Sequence, residues 1–155
     1  MAGPSPARLY ATLVGGVLVV AGLVGFFYSS SFGSPGNVDD ALGALRVNGW
    51  HNLFHIGTGA IGLLVANRAA RRYALWLGGA YVALAIWGFI LAGEATILGF
   101  FPVNGGDDFL HLTLGALGVA AALATPVPGT RKRREKRRSR PKAKRESRRQ
   151  RRATT

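Results

Sequence analysis

Long stretches without charged side chains constrain this chain more than any other feature. Four stretches contain no Asp, Glu, Lys or Arg, and His55 is the only histidine in them: Leu9–Ser34, Asn52–Asn67, Tyr73–Gly93 and Leu112–Thr130. About twenty apolar residues in a helix, at 1.5 Å per residue, cross the roughly 30 Å hydrocarbon layer of a bilayer. We therefore predict four membrane-spanning helices, at about 8–28, 50–67, 72–92 and 107–125.

Charge is concentrated at one end of the chain. Residues 131–155 contain fifteen Lys and Arg against two Glu, which accounts for the whole net charge of +13. Residues 1–130 carry five Arg against five acidic residues and are neutral. Because the basic segment has few apolar side chains to bury, we predict that it is disordered.

Two parts of the chain repeat each other. A shift of 63 residues superimposes the pairs Arg8/Arg71, Tyr10/Tyr73 and Gly15/Gly78. A shift of 56 residues superimposes Asn48/Asn104, His55/His111 and Gly59/Gly115. Matched Arg, Tyr, Asn and His indicate an internal duplication rather than chance similarity between apolar segments. Two copies that each cross the membrane twice predict a pseudo-two-fold axis along the membrane normal.

The duplication defines the predicted architecture. We expect an all-α fold: a four-helix transmembrane bundle built from two tandem helical hairpins, with a disordered basic C-terminal tail. The first hairpin and its outer interfacial segment occupy 1–66, the second hairpin 67–125 and the tail 126–155. Small residues four apart, such as Ala11/Gly15 and Gly62/Ala66, predict close contacts between helices.

The distribution of arginines predicts the orientation. Arg68, Arg71 and Arg72 lie between the second and third helices, on the same side as the basic tail. The other two connections contain the acidic residues, with Arg46 as their one basic residue. The positive-inside rule then predicts a multi-pass protein of the cell membrane with cytoplasmic N- and C-termini.

The two outer connections differ in character. In the first, Val38, Ala41, Leu42 and Leu45 share one face of a helix that Asn37 is placed to cap, so we expect an interfacial helix, with a plain loop as the alternative. The second, Ala95–Val103, is too apolar to be freely solvated. We expect it to fold back over the bundle.

Histidines near the outer helix ends are the main candidate site, because ionisable groups at membrane depth are functional candidates. Three interpretations remain open. In the leading one, His55 and His111 each donate a hydrogen bond across the pseudo-two-fold axis or to a carbonyl of an outer loop and lock the hairpins together, and no cofactor is involved. In the second, a divalent metal is bound by His51, His55, Asp107 and His111. In the third, His55 and His111 are the axial ligands of a haem.

Other polar residues at the outer ends predict structural contacts. We expect Asn52 and Asp108 to make polar interhelical contacts, and at least one of them to cap its helix. The chain has no cysteine, which excludes thiolate metal sites and cysteine nucleophiles. It shows no Ser-His-Asp arrangement, phosphate loop or paired intramembrane carboxylates. We therefore expect a protein that is not an enzyme.

The basic tail predicts a partner of opposite charge. Next to anionic lipid, each basic residue at the surface contributes about 1 kcal/mol. The predicted lipid-binding residues are Arg131, Lys132, Arg133, Arg134, Lys136, Arg137 and Arg138. Nucleic acid is a second partner for such a segment, because cations bind phosphate polymers. The tail has no aromatic residues for base stacking, so lipid is favoured.

Three motifs carry a resemblance to a known family: R-x-Y-A at 8–11, V-N-G-x-H-N-x-x-H at 47–55 and N-G-x-D-x-x-x-H-L-x-x-G at 104–115. Over about residues 7–125 the chain resembles a family of four-helix bacterial membrane proteins, mainly actinobacterial, catalogued as a domain of unknown function. The resemblance implies an integral membrane location. It supplies no reaction and no ligand.

These observations lead to one expectation about function and two alternatives. We expect a structural or accessory protein that lies in the lipid bilayer and forms a homo-oligomer or part of a larger membrane complex. The first alternative is a metal- or haem-binding membrane protein that uses His55 and His111. The second is a small transporter or channel subunit.

Overall fold

The chain folds into four α-helices and two short β-hairpins, which the computed structural model describes for residues 3–33, 39–41, 45–91, 96–102 and 104–127. The helices are α1 (Pro6–Tyr28), α2 (Gly49–Val65), α3 (Ala70–Leu91) and α4 (Gly105–Ala124). Contacts divide the chain into two units: Met1–Thr125, which contains every described helix and strand, and Pro126–Thr155. The predicted four-helix, all-α fold is confirmed, whereas the basic tail lies outside the described residues.

Three of the helices begin at side chains that cap them. Ser5 Oγ accepts a hydrogen bond from Arg8 N at 3.3 Å, and Pro6 occupies the first turn of α1. Asn48 Oδ1 accepts from His51 N, and Asn104 Oδ1 accepts from Asp107 N, each at 2.8 Å. The expectation that Asn52 or Asp108 provides a cap is therefore wrong. The capping residues are Asn48 and Asn104, which lie four residues before Asn52 and Asp108.

The helices have the length and surface of a membrane protein. Helices α1, α3 and α4 are long and apolar enough to span a bilayer. Helix α2 has 17 residues and so measures about 25 Å, slightly less than the hydrocarbon layer. Large apolar side chains such as Phe27, Leu64 and Trp76 are at least three-quarters exposed. Because water disfavours so much apolar surface, the natural surroundings of these side chains are lipid.

Glycines let the helices approach closely in pairs. Helix α1 meets α2 where Gly15 lies against Gly59, and a methyl group added at Gly59 would lie 2.5 Å from Gly15 O. Helix α3 meets α4 in the same way, where a methyl group added at Gly78 would lie 2.8 Å from Gly115 O. These contacts occupy equivalent positions of the sequence repeat.

Tyrosines connect the two helix pairs through the middle of the bundle. Tyr10 of α1 packs on Gly118 of α4, and its hydroxyl donates to Leu114 O at 2.9 Å. Tyr73 of α3 packs on Gly62 of α2, and its hydroxyl donates to Thr58 O at 3.1 Å. Tyr10 and Tyr73 are equivalent in the repeat, and so are their partners, so the contacts follow the sequence duplication.

The start of α1 lies beside the end of α4. Ala7 N donates to Thr125 Oγ1 at 2.9 Å, and the same hydroxyl donates to Ala121 O at 2.8 Å. Both ends of the helical unit are therefore at the same end of the bundle, as an even number of crossings requires.

The first outer connection differs from the prediction. Strands β1 (Asp39–Ala41) and β2 (Leu45–Val47) pair antiparallel, with Asp40 opposite Arg46. The predicted interfacial helix is therefore wrong for these residues. Strand pairing satisfies the backbone amides between two strands, whereas an isolated helix of this length is marginal. Asn37, Val38 and Leu42 lie outside the described residues.

The second outer connection folds back over the helices, as predicted for its described residues. Strands β3 (Thr96–Ile97) and β4 (Phe101–Pro102) pair across a turn in which Leu98 and Gly99 have φ of 54° and 73°. Ile97 is 4% exposed. The Phe101 ring lies edge-on to Phe54 of α2, with their centroids 4.8 Å apart, so the turn is anchored on the bundle.

Candidate functional site

The three histidines of the chain lie together where α2 and α4 begin. Each of His51, His55 and His111 offers a ring nitrogen, and these nitrogens all lie within 4.8 Å of one another. The Nε2 atoms of His51 and His55 are 3.0 Å apart. His51 and His55 are four residues apart on α2 and share one face of it, whereas His111 comes from α4. The cluster therefore links the two repeats.

Main-chain contacts orient the His51 ring. Its Nδ1 lies 3.2 Å from Arg46 O, in the middle of β2, the strand that leads into α2. Because a carbonyl oxygen only accepts hydrogen bonds, Nδ1 carries a proton and donates. In a neutral imidazole this leaves the lone pair on Nε2, the atom that faces His55. His51 is 4% exposed, so water does not compete for these atoms.

Helix α4 supplies the third imidazole. The His111 ring centroid lies 6.0 Å from that of His51 and 6.4 Å from that of His55. On its other side, Tyr81 of α3 contacts His111 with ring centroids 4.9 Å apart. His111 is thus held between α2 and α3.

Asp107 was predicted to be a metal ligand together with the histidines, but its carboxylate makes a different contact. It is 5% exposed and lies one turn before His111 on α4. Its carboxylate is not among the groups that lie within 4.8 Å of one another at the cluster. Instead, Asp107 Oδ2 accepts a hydrogen bond from Arg46 N at 2.9 Å. The structure therefore brings three of the four predicted metal ligands together, whereas the fourth, Asp107 of α4, is hydrogen-bonded to strand β2.

Asn52 and Asp108 face the neighbouring helix of their own repeat. Asn52 Nδ2 donates to Ser29 O at 2.9 Å, and its amide packs on Gly25 of α1. The Asp108 carboxyl occupies the equivalent position and packs on Gly88 of α3. Both side chains are almost fully buried, so they contact α1 and α3 rather than the histidines.

The spacing of the imidazoles suits a metal ion. Zinc binds histidine nitrogen at about 2.0–2.1 Å, so tetrahedral geometry places two such nitrogens about 3.3–3.4 Å apart. The separations at the cluster, from 3.0 Å to at most 4.8 Å, bracket this value. Small side-chain rotations are therefore sufficient to bring all three nitrogens onto one ion.

Two buried acids lie in the first turn of α4, one turn before His111. Helix N-termini carry partial positive charge and by themselves disfavour a cation, and two of them meet here. Asp107 and Asp108 are buried in the first turn of α4, where their carboxylates offset that charge.

The geometry favours a single ion over a haem. In a bis-histidine haem, the nitrogens of His55 and His111 face iron from opposite sides of a macrocycle. Here His51 Nε2 lies 3.0 Å from His55 Nε2. The His51 ring therefore occupies space next to the His55 nitrogen that would bind the iron. An ion accommodates this third imidazole as a ligand, whereas a macrocycle competes with it for space.

Sequence reasoning missed two participants. The main chain of Arg46 contacts both Asp107 and His51, and no side-chain pattern identifies a backbone partner. Tyr81 lies in a helix without a matching tyrosine in the other repeat, since its equivalent is Leu18. That departure from the repeat was a sequence clue to a special position. The predicted lipid-binding residues, Arg131 to Arg138, lie outside the described residues.

Comparison with known proteins shows the family of this chain. No curated protein and no solved structure matches the chain. A family model does match, and it covers residues 8–124, which include all three histidines. The chain therefore belongs to the family described as Domain of unknown function (DUF4383).

Proposed function

We propose that this membrane protein binds one divalent transition-metal ion through His51, His55 and His111. One observation carries the proposal: all three histidines of the chain converge, with their ring nitrogens within 4.8 Å of one another. Two of them come from the first repeat and one from the second. The ion would therefore fasten α2 to α4 at the end of the bundle where both helices begin.

The donor atoms indicate the class of metal. Imidazole suits zinc, copper, nickel and cobalt, whereas calcium and magnesium prefer oxygen ligands. The chain has no cysteine to supply a thiolate. Three protein ligands leave a fourth position for water or another small ligand, as in zinc sites that are not purely structural.

A structural or accessory role without metal is the second candidate. The 3.0 Å separation of the His51 and His55 nitrogens also fits a direct hydrogen bond, with His55 Nε2–H donating to His51 Nε2. In that case the imidazoles stabilise the helix ends and nothing is bound between them. We propose that the protein would then act as part of a homo-oligomer or a larger membrane complex.

Orientation and the tail complete the proposal. The arginines at 68, 71 and 72 and the basic segment after residue 130 support cytoplasmic termini in the cell membrane, with the histidine cluster on the outer side. The same basic segment supports binding to anionic lipid on the cytoplasmic leaflet. Both statements rest on composition and on the even number of helices.

Metal analysis of purified protein tests the proposal. The chain is expressed with an affinity tag that contains no histidine, purified in detergent, stripped with a chelator and reloaded with Zn²⁺ or Co²⁺. We expect one ion per chain after dialysis, and Co²⁺ should give the visible bands of a four-coordinate site. His51→Ala, His55→Ala and His111→Ala should each weaken binding by at least about tenfold, because each removes one of three ligands.

Thr113→Ala is the matched control, because Thr113 is exposed on α4 and its hydroxyl donates only within its own helix, to Phe109 O. This variant should bind metal as the wild type does. A wild-type protein that retains neither ion above the level of the triple histidine variant would refute the metal-binding function and favour the second candidate.

A further inference from the structure

Asp107 makes a contact that helix formation does not require. Asn104 already caps α4 by accepting from Asp107 N. The Asp107 carboxylate is free for another role, yet it is buried, where an ionised group is costly without a specific partner. Its partner is Arg46 N, 61 residues away in β2. The carboxylate thus ties the first outer connection to the second repeat.

Arg46, whose backbone N–H is bound by Asp107, is also bound to His51. Arg46 N donates to Asp107 Oδ2 at 2.9 Å, and Arg46 O accepts from His51 Nδ1 at 3.2 Å. The Arg46 main chain therefore stands between the carboxylate and the imidazole. Histidines that bind metals usually donate their second ring N–H to a carbonyl or carboxylate, which sets the tautomer and the orientation of the ring.

Sequence symmetry explains how this arrangement arises. Asp107 is the repeat equivalent of His51, and both are the third residue after a capping asparagine. One copy of this position contributes an imidazole to the cluster, and the other contributes the acceptor that positions β2. The site is therefore asymmetric although the helices around it are matched.

We propose that Asp107 is a positioning residue of the metal site, which acts through the Arg46 main chain to hold His51 with its Nδ1 protonated and its Nε2 directed at the ion. This inference rests on the proposed metal-binding function. It predicts that the carboxylate changes metal affinity without contacting the ion. It further predicts that the first outer connection and the metal site stabilise each other, since β2 is held by Asp107 on one side and by His51 on the other.

Two substitutions separate the hydrogen bond from the charge. Asp107→Ala removes the acceptor for Arg46 N, and Asp107→Asn keeps an acceptor oxygen at the same place without the charge. We expect Asp107→Ala to bind one Zn²⁺ per chain with an affinity about 10- to 100-fold lower than that of the wild type. Asp107→Asn should lose less. Competition with a chromogenic chelator in detergent measures all three affinities.

Asp108→Asn is the matched control, because Asp108 is an equally buried acid of the same helix turn but packs on Gly88 rather than on β2. It should change Zn²⁺ affinity less than Asp107→Ala does. A reduction as large as that of Asp107→Ala would mean that general negative charge is responsible, and it would overturn the positioning role.

A second measurement does not depend on metal. In the metal-free protein, the ¹⁵N chemical shifts of the imidazoles report which ring nitrogen carries the proton. We expect His51 of the wild type to be protonated on Nδ1, and Asp107→Ala to populate both tautomers. A wild-type His51 protonated on Nε2 would overturn the inference, and this test needs no variant that must fold.

The outcomes also distinguish the inference from the function on which it rests. If the wild type binds Zn²⁺ and Asp107→Ala binds it equally well, the positioning role is wrong and the metal site remains. If Asp107→Asn loses stoichiometric binding as completely as His51→Ala does, Asp107 is itself a ligand. If the wild type binds no ion, the metal-binding function is what has failed.

Discussion

Three tyrosine side chains lie buried inside the bundle, and they differ in how their hydroxyls are satisfied. Tyr10 and Tyr73 each donate to a backbone carbonyl of the other repeat. The Tyr81 hydroxyl makes no hydrogen bond of good geometry within the described part of the chain, although the Thr58 side chain of α2 lies near it. Because an apolar environment offers no water as a substitute, an unsatisfied hydroxyl there destabilises the fold.

Replacing each tyrosine by phenylalanine tests this difference. Tyr10→Phe and Tyr73→Phe should each lower the free energy of unfolding by about 0.6 kcal/mol, the usual contribution of a hydrogen bond between membrane helices. Tyr81→Phe should leave it unchanged or raise it. Reversible unfolding by SDS in mixed micelles measures all three. A loss for Tyr81→Phe as large as for the other two would show that its hydroxyl has a partner.

At the scale of the helices, glycine contacts set how closely each pair packs. Lipid is as apolar as the helix surface, so helix association depends on close packing and polar contacts rather than on hydrophobic burial. Gly15 lies against Gly59, and Gly78 against Gly115. Gly62 and Gly118, which the sequence pattern placed at helix contacts, make room instead for the rings of Tyr73 and Tyr10. One set of glycines therefore allows close contact between helices, and another set makes room for the tyrosine rings.

Gly→Ala substitutions distinguish contact glycines from exposed ones. A methyl group at Gly59 or Gly115 would lie 2.5–2.8 Å from backbone or side-chain atoms of the facing helix, so we expect losses of about 1–3 kcal/mol in unfolding free energy. Gly16 and Gly79 are the controls, because nothing lies within 4 Å of an added methyl group. Their alanine variants should be neutral or more stable, by up to about 1 kcal/mol. Equal losses at all four sites would argue against tight packing.

At the scale of the whole molecule, the described helices present large apolar side chains outward, and the buried polar and charged residues lie at one end of the bundle. The histidines, Asp107, Asp108 and the capping asparagines all lie near the N-termini of α2 and α4. The connection at 66–69, between α2 and α3, is at the opposite end. If the arginines beside it face the cytoplasm, the candidate metal site faces outward, where it can take an ion from outside the cell.

Single cysteines test this orientation cleanly, because the natural chain has none. Ser30 follows α1 at the histidine end, and Asn67 lies in the connection at the other end; both are exposed. A membrane-impermeant maleimide added to intact cells should label Ser30→Cys and not Asn67→Cys, which should react only after lysis. The opposite labelling would place the termini outside and overturn the orientation.

Much of the architecture follows from local sequence. A bilayer demands long apolar helices whose backbone hydrogen bonds are internal, so length and composition were sufficient to predict four helices close to their observed bounds. Matched small residues such as Gly15 and Gly78 likewise indicated helix contacts that recur. The interfacial helix failed because its apolar pattern was compatible with another structure, and pairing between 39–41 and 45–47 decided the outcome.

Only the tertiary structure decided what the histidines form together. His51 and His55 share a helix face by their spacing alone, but their distance from His111 depends on how far α2 lies from α4, which the glycine and tyrosine contacts with α1 and α3 set. Asp107 was predicted to bind the metal because it is the repeat equivalent of His51. In the structure, its carboxylate instead accepts a hydrogen bond from a backbone N–H of β2. The residues that share one face of a helix can be predicted from their spacing in the sequence. A site formed by several helices also depends on the distances between those helices, which local sequence patterns do not determine.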